Sequence, residues 1–217
     1  KQVKITDDGA HFRSPVDGSP VFIGPKESMR IQAALGADIA FAFDECTSPL
    51  ADHAYTAASL ERTHRWARIC LAARDKKQAL YGVVQGGKYK DLRIASAREI
   101  GALPFDGFGI GGEFGGEKRT MSSMLRWVMK ELPPQKPRHL LGIGHPDDIR
   151  RIIKAGVDTF DCTAPTHYAR HGTAFTRSGR LDLHKRAFLN DRKPIDPDCE
   201  CLACRDHSRA YLCHLLR

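Results

Sequence analysis

The sequence predicts an α/β protein built on a parallel sheet. Three observations carry that expectation. Short apolar runs recur over residues 39–160, each followed by a stretch with helical spacing. Strands that alternate with helices form right-handed βαβ units. A polar residue or a glycine ends every run, namely Asp44, Gln85, Gly111, His145 and Asp161. Active sites of α/β folds gather at the carboxyl ends of parallel strands. The rhythm then stops after Asp161 and a cysteine cluster follows, which marks a second region.

Val3 and Ile5 alternate as in a strand before Asp8-Gly9, and Asp17-Gly18 marks a second turn. Pro25 to Leu35 reads as a helix with proline in its first turn and Gly36 just past its end. Ile39 to Phe43 is the first apolar run. Residues 56–75 place Thr63, Ala67, Cys70 and Leu71 on one helical stripe. Leu80 to Val84 is a buried strand, and a helix spans about residues 89–100. Phe105 to Ile110 follows, then a helix with Met121, Met124, Leu125, Val128 and Leu132 on one face, stopped by Pro133-Pro134. His139 to Ile143 is the next strand. Pro146 opens a helix bearing Ile149, Ile152 and Ile153, closed by Gly156, and Thr159-Phe160 is the last strand. Residues 173–189 read as β-rich around a Ser178-Gly179 turn, and Ser208 to Leu216 as a final helix.

This pattern fits a (β/α)8 barrel or an open doubly wound sheet. No phosphate-binding glycine fingerprint follows the first strand, which weighs against a dinucleotide-binding version. About five βα units are visible, whereas a closed barrel needs eight. If the fold is a barrel, the chain supplies part of it.

The chain of 217 residues carries a net charge of +8, which favours a polyanionic partner. Between Ala164 and Lys193 seven lysines or arginines stand against two aspartates, with His167, His171 and His184 among them. No apolar stretch is long enough to span a bilayer, and the opening KQVKITDDG has no signal-peptide pattern. A cytoplasmic protein is expected. The first residue is Lys, so the true N-terminus is expected to lie upstream. An odd and uneven set of seven cysteines argues for a metal site plus free thiols over a disulfide framework.

Cys199, Cys201 and Cys204 can wrap one soft cation. Zinc (Zn2+) in a structural site is expected, needing a fourth ligand from His207, His214 or beyond Arg217. An iron–sulfur cluster would normally require a fourth cysteine. Asp44 and Asp161 each end an apolar run. An ionised aspartate there can attack an electrophilic carbon or accept hydrogen bonds from a base edge, or it can cap the next helix. Gln85 offers a donor and an acceptor, suiting an amide-bearing heterocycle. Gly111 and Gly112 would let a flat ligand lie on the backbone. The stretch Pro165-Thr166-His167-Tyr168-Ala169-Arg170-His171-Gly172 reads as a basic, aromatic loop suited to RNA phosphates and splayed bases, or as a solvated loop.

As an ordered set these residues resemble the tRNA-guanine transglycosylase family. The resemblance rests on Phe43-Asp44-Glu45-Cys46-Thr47, Val84-Gln85-Gly86-Gly87, Gly111-Gly112, Phe160-Asp161-Cys162, the Pro165-Thr166, Ala169-Arg170 and Gly172 positions, and Cys199, Cys201 and Cys204. Phe12-Arg13-Ser14-Pro15, Pro194-Ile195-Asp196-Pro197 and Ser208-Arg209-Ala210-Tyr211 add to it. The resemblance implies a (β/α)8 TIM barrel, partial in this chain, over residues 1–163, with a zinc-binding subdomain over residues 164–217. It implies that Asp161 attacks the ribose C1′ at the anticodon wobble position of a tRNA with a GUN anticodon. A covalent ester would then be displaced by a 7-substituted 7-deazaguanine, preQ1 or queuine. Asp44, Gln85, Gly111 and Gly112 would grip the base, and Thr166, His167, Arg170 and His171 would meet the tRNA. A homodimer is a further implication.

The sequence departs from the family at three places. The acid/base aspartate of a Thr-Asp-Ser-Gly-Gly segment and the zinc histidine both fall outside this sequence, so a fragment lacking both ends, and unable to turn over efficiently alone, is expected. His167-Tyr168 and His171 stand where arginine and asparagine would be expected. Gly115 resembles members that accept bulky queuine and Cys46 those that take the smaller precursor; the expectation leans to a pocket that admits queuine. Two rivals are a base exchanger of the archaeosine or DNA-modifying type and a non-catalytic zinc-containing tRNA-binding subunit. Retention of Asp44 and Asp161 argues against the second.

Overall fold

The computed structural model describes residues 3–112 and 118–217. They fall into two compact units, Lys1–Asp161 and Cys162–Arg217.

The first unit opens with an antiparallel sheet of β1 (Val3–Ile5), β2 (Ala10–Arg13) and β3 (Pro20–Ile23). Then α1 (Pro25–Leu35), α2 (His53–Ala73), α3 (Lys90–Gly101), α4 (Lys118–Met129) and α5 (Pro146–Lys154) alternate with β4 (Ile39–Phe41), β5 (Ala79–Val84), β6 (Gly107–Ile110), β7 (Arg138–Leu140) and β8 (Thr159–Phe160). These five strands are parallel and lie in the order β4-β5-β6-β7-β8. A sheet that advances one strand at a time, each crossover right-handed, keeps all its helices on one face. That is a curled half-barrel, and it overturns the open doubly wound alternative, whose strand order reverses at a switch point.

The elements form for local reasons. The Glu27 carboxylate reaches back to the Gly24 N–H at 3.1 Å and sets the start of α1. Asp52 caps α2 by accepting the Tyr55 N–H at 2.8 Å, which starts that helix three residues before the expected position 56. Apolar residues of the helices, among them Ala67, Cys70, Ile100, Met124, Val128 and Ile152, pack on Leu80, Val84, Phe108, Ile110 and Leu140 of the strands. Along β5, Tyr81 and Val83 share the opposite face, and by the two-residue period Gln85 continues it. Gly107 and Gly109 of β6 make room there: a Cβ would meet the Tyr81 ring at 2.5 Å and the Phe41 ring at 2.9 Å. The Trp66 indole N–H of α2 donates to the Asp7 carbonyl at 2.6 Å and ties the N-terminal sheet to the helical layer.

The second unit holds α6 (Ala164–Arg170), an antiparallel hairpin of β9 (Thr173–Thr176) and β10 (Gly179–Asp182), α7 (Leu202–Asp206) and α8 (Arg209–Leu215). The hairpin and α8 match the expected elements, but the β-rich stretch expected to reach residue 189 ends at Asp182, and Arg186–Phe188 forms a 3-10 turn instead. The stretch expected to be a loop at Pro165–Gly172 is helical instead. Pro165 sits in the first turn, the Thr166 hydroxyl donates to the Thr163 carbonyl at 3.0 Å, and Gly172, at φ 65°, ends it. About two turns is too short to show a period in sequence. No helix among the described residues is long and apolar enough to cross a membrane.

Candidate active site

Asp44 and Asp161 follow the two outer strands of the half-barrel, β4 and β8. The helix-capping alternative fails for both. Asp52 caps the helix after Asp44, and Thr163 occupies the cap position of the helix after Asp161.

Around Asp44 the chain builds a dense polar cluster. Gln85 Nε2 donates to Asp44 Oδ2 at 2.6 Å. Burial raises the Asp44 pKa; the Gln85 hydrogen bond works against that and the neighbouring Glu45 charge adds to it. Gln85 itself is buried, and its Oε1 has no hydrogen-bond partner among the described residues. An orphaned buried acceptor costs about 1–3 kcal/mol, so a donor from a ligand is the natural complement. Cys46 lies beside Asp44, Gln85 and Gly112, and its thiol is pushed up by burial first and by the Asp44 charge second.

Gly111 and Gly112 are brought to this cluster, but their role is more specific than a flat shelf. A Cβ on Gly111 would meet Gln85 Nε2 at 2.5 Å, and one on Gly112, which has φ 85°, would meet Arg93 Nη2 at 2.8 Å and Gln85 Oε1 at 2.9 Å. The missing side chains admit Gln85 and Arg93. Gly115 lies outside the described residues.

Two further residues hold the site together: Arg93, which the sequence did not single out, and Glu45, which stands in the Phe43–Thr47 motif without an assigned role. Arg93 is fully buried; Nε donates to the Gly87 carbonyl at 2.7 Å and Nη1 to the Gly111 carbonyl at 2.6 Å, joining the two glycine turns. Burial lowers its pKa to about 10. Its signal was the stripe of Arg93, Ser96, Ala97 and Ile100, which has helical spacing and is the buried face of α3. Glu45 fixes the segment between Asp44 and Cys46. It accepts the Tyr55 hydroxyl at 2.6 Å and Arg62 Nε at 2.9 Å, and its backbone N–H donates to Thr63.

Asp161 has different surroundings. Its side chain is 58% exposed. Burial would raise its pKa, but the Gly142 N–H at 2.8 Å and His139 at 3.1 Å outweigh that and hold the carboxyl below its ordinary value. It therefore stands ionised at neutral pH, the form a nucleophile needs. His145, expected at a strand end, instead caps α5, where Nδ1 accepts the Asp147 N–H at 3.3 Å.

In the second unit Thr166, His167, Arg170 and His171 lie along α6, exposed, with the His167 and His171 rings 4.4 Å apart. The sulfurs of Cys199, Cys201 and Cys204 all lie within 4.8 Å of one another. Tetrahedral zinc with bonds of about 2.3 Å would space its sulfurs by about 3.8 Å, so the three thiols fit such an ion with little movement. Neither His207 nor His214 joins the group; His207 stacks on Tyr211 at 5.1 Å.

The family model described as queuine tRNA-ribosyltransferase matches residues 1–217. The chain belongs to the queuine tRNA-ribosyltransferase family. It is 48% identical over 226 residues to a putative queuine tRNA-ribosyltransferase of Archaeoglobus fulgidus, covering 100% of this chain and 56% of that protein. It is 50% identical over 216 residues to a queuine tRNA-ribosyltransferase of Moorella thermoacetica, covering 99% and 58%. A Symbiobacterium thermophilum queuine tRNA-ribosyltransferase is 48% identical, with 99% and 54% covered. The chain thus spans a little over half the length of these relatives of the queuine tRNA-ribosyltransferase family.

Proposed function

We propose that the protein is a tRNA-guanine transglycosylase, a pentosyltransferase that replaces guanine at the wobble position of GUN-anticodon tRNAs with a 7-substituted 7-deazaguanine. The observation that carries this is the pair of carboxylates after β4 and β8, one beside an orphaned acceptor and one held ionised. Gln85 Oε1 and Asp44 accept N–H groups from the edge of the base. Cys46 flanks the same pocket, and Arg93 keeps the Gly111 and Gly112 turn in place. Asp161 attacks C1′ as the C1′–N9 bond breaks. The electron pair leaves with guanine, which takes up a proton, and the incoming base later loses its N9 proton, bonds to C1′ and displaces the aspartate. The target base must leave its stack to reach the pocket.

In this reading residues 1–163 belong to a (β/α)8 barrel closed by further strands of the whole protein. Residues 164–217 carry Thr166, His167, Arg170 and His171 toward tRNA and bind one structural zinc through Cys199, Cys201 and Cys204. Zinc would supply a rigid clip there and no step of the reaction. The resemblance further implies a cytoplasmic homodimer, tested by sedimentation. Gly115 and Cys46 set the choice between queuine and preQ1, with queuine admitted; equal or poorer exchange of queuine would contradict this.

The test is incorporation of labelled guanine into tRNA by the full-length protein. Exchange confined to the wobble guanine of GUN tRNAs is expected. Exchange elsewhere in tRNA or in DNA would favour the archaeosine or DNA-modifying type, and tRNA binding without exchange would favour a non-catalytic subunit.

A further inference from the structure

The two oxygens of Asp161 are held unequally. Oδ1 accepts the Gly142 N–H and faces His139 Nε2, while Oδ2 has no hydrogen-bond partner among the described residues. A carboxylate only accepts, so the contact to Oδ1 requires a hydrogen on Nε2. The other ring nitrogen, Nδ1, lies 2.8 Å from Thr159 Oγ1. The Thr159 hydroxyl at Nδ1 holds the ring so that Nε2 faces the carboxylate. His139 and Thr159 are register partners on β7 and β8, so the sheet itself aligns the relay that ends at Asp161. The imidazole is only 17% exposed and packs on the Phe41 ring at 5.4 Å.

We propose that His139 is a positioning residue for Asp161: it holds Oδ1 aside so that Oδ2 attacks. This rests on the reading of Asp161 as the nucleophile. In the first half-reaction Oδ2 bonds to C1′, the glycosidic bond breaks, and the carboxylate charge disappears into an ester whose carbonyl oxygen is Oδ1. The Nε2–H contact orients the carboxylate through Oδ1. In the second half-reaction the incoming base loses its N9 proton and bonds to C1′, and the carboxylate leaves with the electron pair.

Few other charges bear on the ring. Asp161 faces it from beyond β8. One residue back on each strand, Arg138 and Asp158 pair with each other at 3.3 Å. β4 presents Phe41, with the Tyr81 phenol of β5 behind it at 5.5 Å, and β6 places Gly109 opposite in register.

The test is the single-turnover rate of the covalent protein–tRNA adduct, formed and then resolved by added guanine, with the full-length protein. His139→Ala should slow adduct formation by about tenfold while affinity for the free base is unchanged. His139→Gln keeps an N–H donor and should recover most of that loss. Thr159→Val, on an exposed strand position, should slow attack a few-fold with no loss of fold. Adduct formation in His139→Ala at the rate of the unaltered protein, or a loss in His139→Gln as deep as in His139→Ala, would overturn the proposal. An adduct that still forms in Asp161→Asn would instead sink the nucleophile reading, and this inference with it.

Discussion

Asp44 and Asp161 sit after the first and last strands of one parallel sheet, yet their surroundings push them in opposite directions. Asp44 is drawn among buried groups, shares its oxygen with Gln85, and has its pKa raised by burial. Asp161 stands in an exposed position where a backbone N–H and an imidazole hold its carboxyl ionised. The same residue type thus does two jobs. A carboxyl whose pKa is raised among buried acceptors suits the recognition of N–H groups. An ionised, half-tethered carboxylate with one free oxygen suits attack. Two titratable groups whose environments drive them apart are the mark of divided roles in a site.

The largest effect expected from this contrast is on rate. Asp161→Asn should lower base exchange by roughly 10⁴-fold or more while base affinity changes little, because it removes the nucleophile and not the grip. Asp44→Asn should do the reverse, weakening base binding by about 10- to 100-fold, read as a rise in KM. If both variants lost the same parameter, the division of roles would be wrong.

Next comes the frame that holds Asp44. Glu45→Ala removes the acceptor of the Arg62 Nε and the Tyr55 hydroxyl, while Arg62 keeps Asp7, so unfolding in denaturant should show a loss of about 1–2 kcal/mol. Base binding should weaken with it, as Asp44 and Cys46 lose their anchor. The second unit offers a control. Cys204→Ser should remove bound zinc, measured by atomic emission, and lower tRNA affinity with little change in affinity for the free base.

The smallest effect is the most diagnostic. Asp44, with its pKa raised in the fold, contributes stability present at low pH and lost as pH rises through that raised value. Asp161, with its pKa lowered, contributes stability present above the ordinary carboxylate range and lost as pH falls through the lowered value. At neutral pH the same substitution should therefore shift Tm in opposite senses. Asp44→Asn should raise it by about 2–4 °C, and Asp161→Asn should lower it slightly. Scanning calorimetry at neutral pH checks both signs.

Much of this was legible in the sequence for a physical reason. Asp44, Gln85, Gly111 and Asp161 each follow a run of apolar residues, and the end of a buried parallel strand is where a polar side chain meets a pocket. The helices of the half-barrel carried their period over about two and a half turns or more. Strand order decided between barrel and open sheet, and order is a property of pairing that spacing along the chain does not hold. Arg93 was hidden because a charged residue in a helix reads as solvent-facing unless its stripe is followed to Ile100. His139 was hidden inside a strand recognised by its neighbours, and its link to Asp161 spans 22 residues of chain. The helix at Ala164–Arg170 is too short for periodicity, and its proline reads equally well as a loop.

The central claim is that Asp161 forms the covalent bond to ribose. Full-length protein incubated with GUN tRNA and 9-deazaguanine, then run on a denaturing gel, tests it directly. A stable protein–RNA band that is lost in Asp161→Asn is the predicted result. Absence of a band from a folded, zinc-loaded protein that binds tRNA, or a band that survives the substitution, would contradict it.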